Sequence, residues 1–326
     1  MRAVLCKELG PPESLTVEDI DDPVAGPGEV VVDMRAAGVN FPDVLIVQGK
    51  YQFKPDLPFS PGGELAGVIS QVGEGVQHLS VGDHVICSTG HGAFAEKVLV
   101  NAQMVIPMPP GLDFKSAAAF VLTYGTSWHA LKDRGALKAG ETVLVLGAAG
   151  GVGLSAIQIA KALGAKVIAA ASTDEKLAVC KENGADETLN YSTEDLRERV
   201  KALTDGNGPD VIYDPVGGQF AEPAFRSIGW RGRYLVIGFA NGDIPSLPLN
   251  LALLKGAAII GVFWGSYISR ESGNFAKDLQ DMFVLMGEAK LKPHVSATFP
   301  LEQGAEAICH LANRKATGKV VITCEA

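Results

Sequence analysis

The stretch VLVLGAAGGVGLSAIQIAKALGAKVIAAAST, residues 143–173, decides the fold. An apolar run ends in a cluster of glycines. It passes into a helical pattern with apolar residues at Ile157, Ala160 and Leu163, and a second apolar run follows. A strand that ends in a tight glycine turn and opens a helix aims several backbone N–H groups, and the positive end of the helix dipole, at one spot. Pyrophosphate binds at such a spot. The turn reads Gly147-Ala148-Ala149-Gly150-Gly151-Val152-Gly153. Gly150 falls where the backbone must approach phosphate and Gly153 where the helix must pack close on the strand, while Ala148 stands at the first glycine of the fingerprint. Ala149, Gly150, Gly151 and Val152 are therefore expected to bind a dinucleotide.

The end of the second strand identifies which dinucleotide. An NAD-type site places an Asp or Glu there to accept hydrogen bonds from the ribose hydroxyls. This chain has Ala171-Ser172-Thr173 instead. A carboxylate would repel a 2′-phosphate, whereas small hydroxyl residues with Lys176 nearby suit one, so NADPH is the expected cofactor, with Ser172 and Lys176 on its phosphate. Asp174 and Glu175 weaken the local positive field.

Working outward, strand-like runs alternate with helical patterns from about residue 124: ETVLVLG, KVIAAAS, DVIYDPV, GRYLVIG and AAIIGVFW. Strands separated by helices imply right-handed crossovers and a parallel sheet covered on both faces. Before residue 124 the texture differs, with short β-like runs broken by Gly and Pro, such as EVVVDMRAAGV, GELAGVISQVG and GAFAEKVLV. These read as a largely antiparallel, barrel-like domain. After Trp264 an amphipathic stretch leads to another helix and a last strand, expected to return to the first domain.

Composition excludes several classes. The 326 residues carry a net charge of −9, with Lys and Arg dispersed, so nucleic acid is a poor partner. No apolar run approaches the about 18 residues of a membrane span, and MRAVLCKELG lacks the pattern of a signal peptide, so a cytoplasmic location is expected. Five cysteines lie far apart with no CxxC and read as reduced thiols. The six histidines form no HxH or HExxH pair. His91, between glycines in GHG, is the mild exception. No Gly-x-Ser-x-Gly elbow supports a serine nucleophile.

The blocks AAGVNFPDVLIVQGKY, PFSPGGELAGVI, GDHV, GAFAE, GAAGGVGLSAIQIAKALGA, FPLEQGAEA and ATGKVV, in this order, resemble the medium-chain dehydrogenase/reductase superfamily and its quinone oxidoreductase (zeta-crystallin-like) branch. The resemblance implies an α/β fold in which a Rossmann doubly wound parallel sheet, expected at 124–265, is inserted in a GroES-like, mainly antiparallel β-barrel catalytic domain made of 1–123 and 266–326. Zinc-dependent members carry a Cys and a His where this sequence has Asn40 and Gly63, and the lobe that would hold four cysteines is absent. No metal is expected.

Without zinc the implied chemistry is direct hydride transfer from NADPH to a quinone. The alternatives are reduction of an α,β-unsaturated carbonyl or enoyl thioester and, in another class, a non-catalytic nucleotide-binding protein. Carried over residue by residue, the resemblance assigns Asn40 to positioning cofactor and substrate and Tyr51 to hydrogen-bonding or protonating the acceptor oxygen. It puts Thr126 near the nicotinamide or pyrophosphate. Tyr191 and Lys319 are expected near the adenosine phosphate, and Gly238, Phe239, Phe263 and Gly265 at the carboxyl edge of the sheet. It also implies a homodimer formed by pairing of the edge strand in LKGAAIIGVFW.

Overall fold

Two sheets organise the chain, and in both the sequence pattern explains which face is buried. A computed structural model describes residues 1–324. The first compact unit is Met1–Leu122 with the chain from Pro293 on, and the second is Thr123–Lys292. In chain order the first carries β1 (Arg2–Leu5), β2 (Thr16–Asp19), β3 (Glu29–Val39), α1 (Phe41–Val47), β4 (Glu64–Val72), β5 (His84–Ser88), β6 (Lys97–Asn101), β7 (Val105–Pro107) and α2 (Phe114–Ala118). Then come α3 (Val121–Trp128), β8 (Thr142–Leu146), α4 (Gly151–Ala162), β9 (Lys166–Ala171), α5 (Asp174–Glu182), β10 (Glu187–Asn190), α6 (Leu196–Leu203), β11 (Val211–Asp214) and α7 (Ala221–Ser227). β12 (Arg233–Val236), α8 (Leu249–Lys255), β13 (Ala258–Gly261), α9 (Trp264–Arg270) and α10 (Ser272–Gly287) follow, and β14 (Val295–Pro300), α11 (Gly304–Ala312) and β15 (Lys319–Thr323) close the described chain.

In the first unit the strand order is β14-β15-β3-β4-β5-β7, with β6 also on β3. All pairings in this sheet are antiparallel except β14 with β15. β3 is its centre. Val30, Val32 and Met34 point into the core, and after a register shift between Met34 and Ala36 the inward positions become Ala37 and Val39. One extra residue in a strand slips the alternation by one, which is how β3 keeps apolar residues inward along its whole length.

The second unit has a six-stranded, all-parallel sheet in the order β10-β9-β8-β11-β12-β13. Successive strands step outward from β8 on one side, then from β11 on the other, so the order reverses between β8 and β11. Ligands bind beyond the carboxyl ends of strands at such a reversal. Both faces are buried: Leu144, Ile168 and Ile212 on one, Val143, Val167 and Val211 on the other, all at most 2% exposed. That accounts for the continuous rather than alternating apolar runs. This is the expected Rossmann-type sheet.

The expected boundary at residue 265 differs from the observed one. Residues 266–292 belong to the second unit. Trp128 Nε1 and the Tyr267 hydroxyl both donate to Asp278, at 3.0 and 2.5 Å, and the Trp264 ring meets Phe275 edge-on at 5.7 Å. Lys292 is held by reciprocal bonds with Gln158, 2.8 and 3.0 Å. α10 thus buries its apolar stripe within the unit that precedes it.

Gly153 fixes how α4 leaves β8. A Cβ there would lie 2.5 Å from the Ala148 carbonyl oxygen and 2.6 Å from that of Gly147, and neither backbone atom can move aside. Gly153→Ala should destabilise the chain by about 1–3 kcal/mol, read as a lower urea midpoint with an unchanged slope.

Candidate active site

The glycine turn is built as its mechanism requires. Gly147 leaves β8 at φ +56°, a left-handed conformation that suits glycine, and a Cβ on it would meet Val216 at 2.7 Å. Gly150 is different. A Cβ on it would find only the Gly147 oxygen, at 3.4 Å, so no neighbouring side chain fills the space in front of it. Ala149 is buried, and Gly150, Gly151 and Val152 are half-buried at the turn's surface.

Gly150 is the N-cap of the 12-residue α4 and offers no side-chain cap. In contrast, Thr173 caps α5 by accepting from Lys176 N, and Asp195 caps α6 by accepting from Glu198 N. A helix start leaves its first backbone N–H groups without intrahelical acceptors, and the dipole makes that end attractive to anions. At the strand-order reversal this end has no side chain of its own in that role. Thr126 is half-buried on α3, one residue before Ser127, whose hydroxyl donates to the Val152 carbonyl at 3.0 Å. That bond ties α3 to the first turn of α4.

Three further candidates gather where β9 and β10 end. Ala171 is buried, Ser172 and Lys176 are half-buried, and Tyr191 N donates to the Ala171 carbonyl at 3.1 Å. The Tyr191 ring lies 4.4 Å from that of Phe220. The Asp174 carboxylate accepts from Asn190 Nδ2 at 2.8 Å. Glu175, held below the usual carboxyl range by its own backbone N–H and the Thr173 hydroxyl, is exposed. Gly238 and Phe239 follow β12, and Phe263 and Gly265 follow β13, all at the carboxyl edge. Phe239 is half-buried and Phe263 exposed.

In the first unit, adjacent strands bring Asn40, Glu64 and Lys319 together. Gly38 pairs with Glu64 across β3 and β4, and Val39 with Val320 across β3 and β15. The Lys319 ammonium donates to Asn40 Oδ1 at 2.6 Å, Glu64 Oε1 at 2.8 Å and the Val39 carbonyl at 3.2 Å. Asn40 Nδ2 donates to the same Glu64 oxygen at 2.9 Å and to the Gly38 carbonyl at 3.2 Å, while Leu122 N donates to Glu64 Oε2 at 2.9 Å. Exposures of 4, 0 and 5% for Lys319, Glu64 and Asn40 put the whole cluster out of water.

This corrects two expectations. Lys319 does not reach outward to a phosphate, because its charge is consumed by three buried acceptors. The Asn40 amide donors are spent on Gly38 and Glu64, so its side chain anchors the start of α1 rather than offering donors to a ligand. Zinc is a poor fit as well. A fixed ammonium already sits on the Asn40 oxygen, Gly63 has no side chain to offer, and among the described residues no group of three His, Cys, Asp or Glu could hold a metal ion.

Sequence reasoning missed Asp43. Its carboxylate accepts from Asn40 N at 2.7 Å and Gly62 N at 3.1 Å, and burial pushes its pKa up to about 7. The signal was present: Asn-x-x-Asp at a helix start is the pattern of a capping box, of which the structure forms the Asp43 half. Tyr51 is half-buried against the core of this unit, and burial and the charge of Asp43 raise its pKa above the ordinary phenol value. Its hydroxyl has no hydrogen-bond partner among the described residues. It is therefore a protonated donor at neutral pH.

Comparison with known proteins gives a consistent assignment. The alcohol dehydrogenase GroES-like domain family matches residues 26–110, and the zinc-binding dehydrogenase family matches 151–282. The chain is 40% identical to the quinone oxidoreductase-like protein 2 homolog of Nematostella vectensis, over 98% of this chain and 88% of that one. It is 36% identical to the quinone oxidoreductase of Homo sapiens, over 99% of this chain and 97% of that one. A crystal structure of Escherichia coli quinone oxidoreductase complexed with NADPH matches with a TM-score of 0.94 at 30% identity, over 99% of this chain and 100% of that one.

The buried ion pair sets a sharp expectation. Lys319→Met leaves the Glu64 carboxylate buried without its cation and should cost about 3–5 kcal/mol in denaturant unfolding. Adding Glu64→Gln removes the orphaned charge and should recover more than half of that loss. Recovery of none of it would mean that the pair acts only through packing.

Proposed function

The chain belongs to the quinone oxidoreductase family of the medium-chain dehydrogenase/reductase superfamily and is an oxidoreductase; we propose that it uses NADPH to reduce a quinone without zinc. One observation carries the cofactor reading. The helix start at the strand-order reversal has no side-chain cap and open space before Gly150, and the neighbouring strand ends without an acid. In this reading the N–H groups of Gly150, Gly151 and Val152 bind the pyrophosphate. Ser172, Lys176 and Tyr191 hold the 2′-phosphate, which the pairing of Asp174 with Asn190 supports by drawing one carboxylate aside. The NADPH complex of the Escherichia coli relative agrees with this choice.

When bound, the reduced nicotinamide supplies a hydride. Tyr51 donates a hydrogen bond to the acceptor oxygen, which gains negative charge as the hydride arrives, and water delivers the protons. The raised pKa of Tyr51 favours hydrogen-bond donation over proton release. Asn40 acts from beneath by fixing α1, whose carboxyl end leads into the segment carrying Tyr51. Support for zinc independence comes from the donor set, since an ammonium occupies the oxygen of Asn40.

A homodimer and a cytoplasmic location complete the proposal. β13 is an edge strand with Ile259 42% exposed, and the same unit exposes Trp230, Leu249 and Leu253 at 71–80%. Pairing with a second copy would cover these apolar groups and complete the ladder. The five free thiols suit a reducing compartment.

Purified chain should oxidise NADPH saturably with 1,4-benzoquinone as acceptor, at a rate that a metal chelator leaves unchanged. A rate abolished by the chelator and restored by zinc would overturn the zinc-free reading. Ala171→Asp should move the preference toward NADH by at least tenfold in kcat/KM, through repulsion of the 2′-phosphate. Full retention of the NADPH preference would remove the strand end from cofactor choice.

A further inference from the structure

Helix α4 carries polar side chains where its packing calls for apolar ones. Residues Gly153–Ala160 are buried, and among them only Ser155 and Gln158 have polar side chains. Both are bonded to α3. The Ser155 hydroxyl reaches the Thr123 carbonyl at 3.0 Å, and Gln158 Oε1 accepts from the Tyr124 hydroxyl at 2.8 Å. From the other side, the Ser127 hydroxyl lies 3.0 Å from the Val152 carbonyl and 2.8 Å from Ser155 Oγ. A polar seam therefore joins the two helices from Val152 to Gln158.

Strand β11 supplies the third part. Tyr213 places its hydroxyl 2.8 Å from Ser127 Oγ and has no other partner among the described residues. Tyr213, Ser127 and Ser155 are all fully buried, so no water stands in for a missing bond. Each hydroxyl has one proton to give and two lone pairs with which to accept. The Tyr213 proton goes to Ser127 Oγ, so Ser127 must donate onward, and together with Ser155 it serves the carbonyls of Val152 and Thr123. The hydroxyls thus form a relay that starts on β11 and ends on the two helices. A buried and satisfied network of this kind fixes geometry more than it adds stability. Here it fixes the first turn of α4, the turn with no side-chain cap, against the helix that carries Thr126 beside Ser127.

We propose that Tyr213, Ser127 and Ser155 are positioning residues for the dinucleotide: through the Val152 carbonyl they hold the N–H groups of Gly150, Gly151 and Val152 in the arrangement that binds pyrophosphate. The inference rests on the cofactor reading above and adds to it residues that act from behind the turn. Calorimetry on the intact chain separates this role from a general loss of structure, because NADP⁺ carries the pyrophosphate and adenosine 2′-phosphate does not. Ser127→Ala should weaken NADP⁺ by about three- to tenfold, the worth of one hydrogen bond, and adenosine 2′-phosphate by less than about twofold. The KM for NADPH should rise by the same factor with kcat nearly kept. Tyr213→Phe removes one oxygen and leaves no group orphaned, and it should weaken NADP⁺ in the same sense. The double variant should weaken it no more than the larger single change, because a relay fails only once. Equal weakening of both nucleotides, or effects of the two substitutions that multiply, would overturn the relay.

NAD⁺ separates the relay from the NADPH reading, since it has the pyrophosphate and lacks the 2′-phosphate. If the unaltered chain binds NAD⁺ more tightly than NADP⁺ and Ser127→Ala weakens it by the same factor, the relay stands and the NADPH reading falls. If NADP⁺ is preferred and binds the variant and the unaltered chain alike, the relay falls alone. A chain that binds neither dinucleotide overturns both.

Discussion

Helix α4 can begin at the tip of β8 only because residue 153 has no side chain. The approach of 2.5–2.6 Å that a Cβ would make to two backbone oxygens leaves no other solution. That contact sets where the first turn of α4 lies, and hence where its uncapped N–H groups point. The neighbouring helices α5 and α6 spend a Thr and an Asp on their own starts. α4 does not, and a helix start without a side-chain cap leaves N–H groups that an anion can take up in place of a cap.

The first unit solves a different problem, that of holding charge out of water. Two carboxyls lie within it at 2% exposure or less and are treated differently. Glu64 receives an ammonium, an amide and a backbone N–H. Asp43 receives two backbone N–H groups and only a more distant share of the Lys319 charge, and desolvation prevails there. A buried ion pair adds little net stability over an apolar replacement. Its value here is positional, since Lys319 joins strands β15 and β3 to the first residue before α1 across 279 positions of sequence.

That separation explains what could be read from the sequence and what could not. The parallel sheet, the glycine turn and the missing acid were legible because each is written in a few consecutive residues whose period and φ requirements are local. The placement of α10 was not. Its amphipathic stripe was visible, but its partner Trp128 lies 150 residues earlier than Asp278, and no periodicity names it. Lys319 and Asn40 were recognised as important residues and given the wrong surroundings for the same reason. Resemblance carries residue types from one chain to another, whereas direction and burial depend on which strands become neighbours.

Asp43 shows how local and distant constraints combine at one atom group. Its capping-box position follows from the Asn-x-x-Asp spacing, but its raised pKa comes from the core closing over it, which outweighs the lowering effect of the Asn40 and Gly62 N–H groups. Because the folded pKa lies above the unfolded one, this carboxyl contributes stability that is complete below about pH 4 and is lost as pH rises through about 7. Near neutrality the group is divided between its two forms, and the ionised fraction is the better acceptor for the Asn40 and Gly62 N–H groups. The start of α1 and the Gly62 turn therefore share one titrating acceptor, and it also raises the pKa of Tyr51. The helix start and the Tyr51 donor are thus tied to a single buried carboxyl, one through a hydrogen bond and the other through its charge.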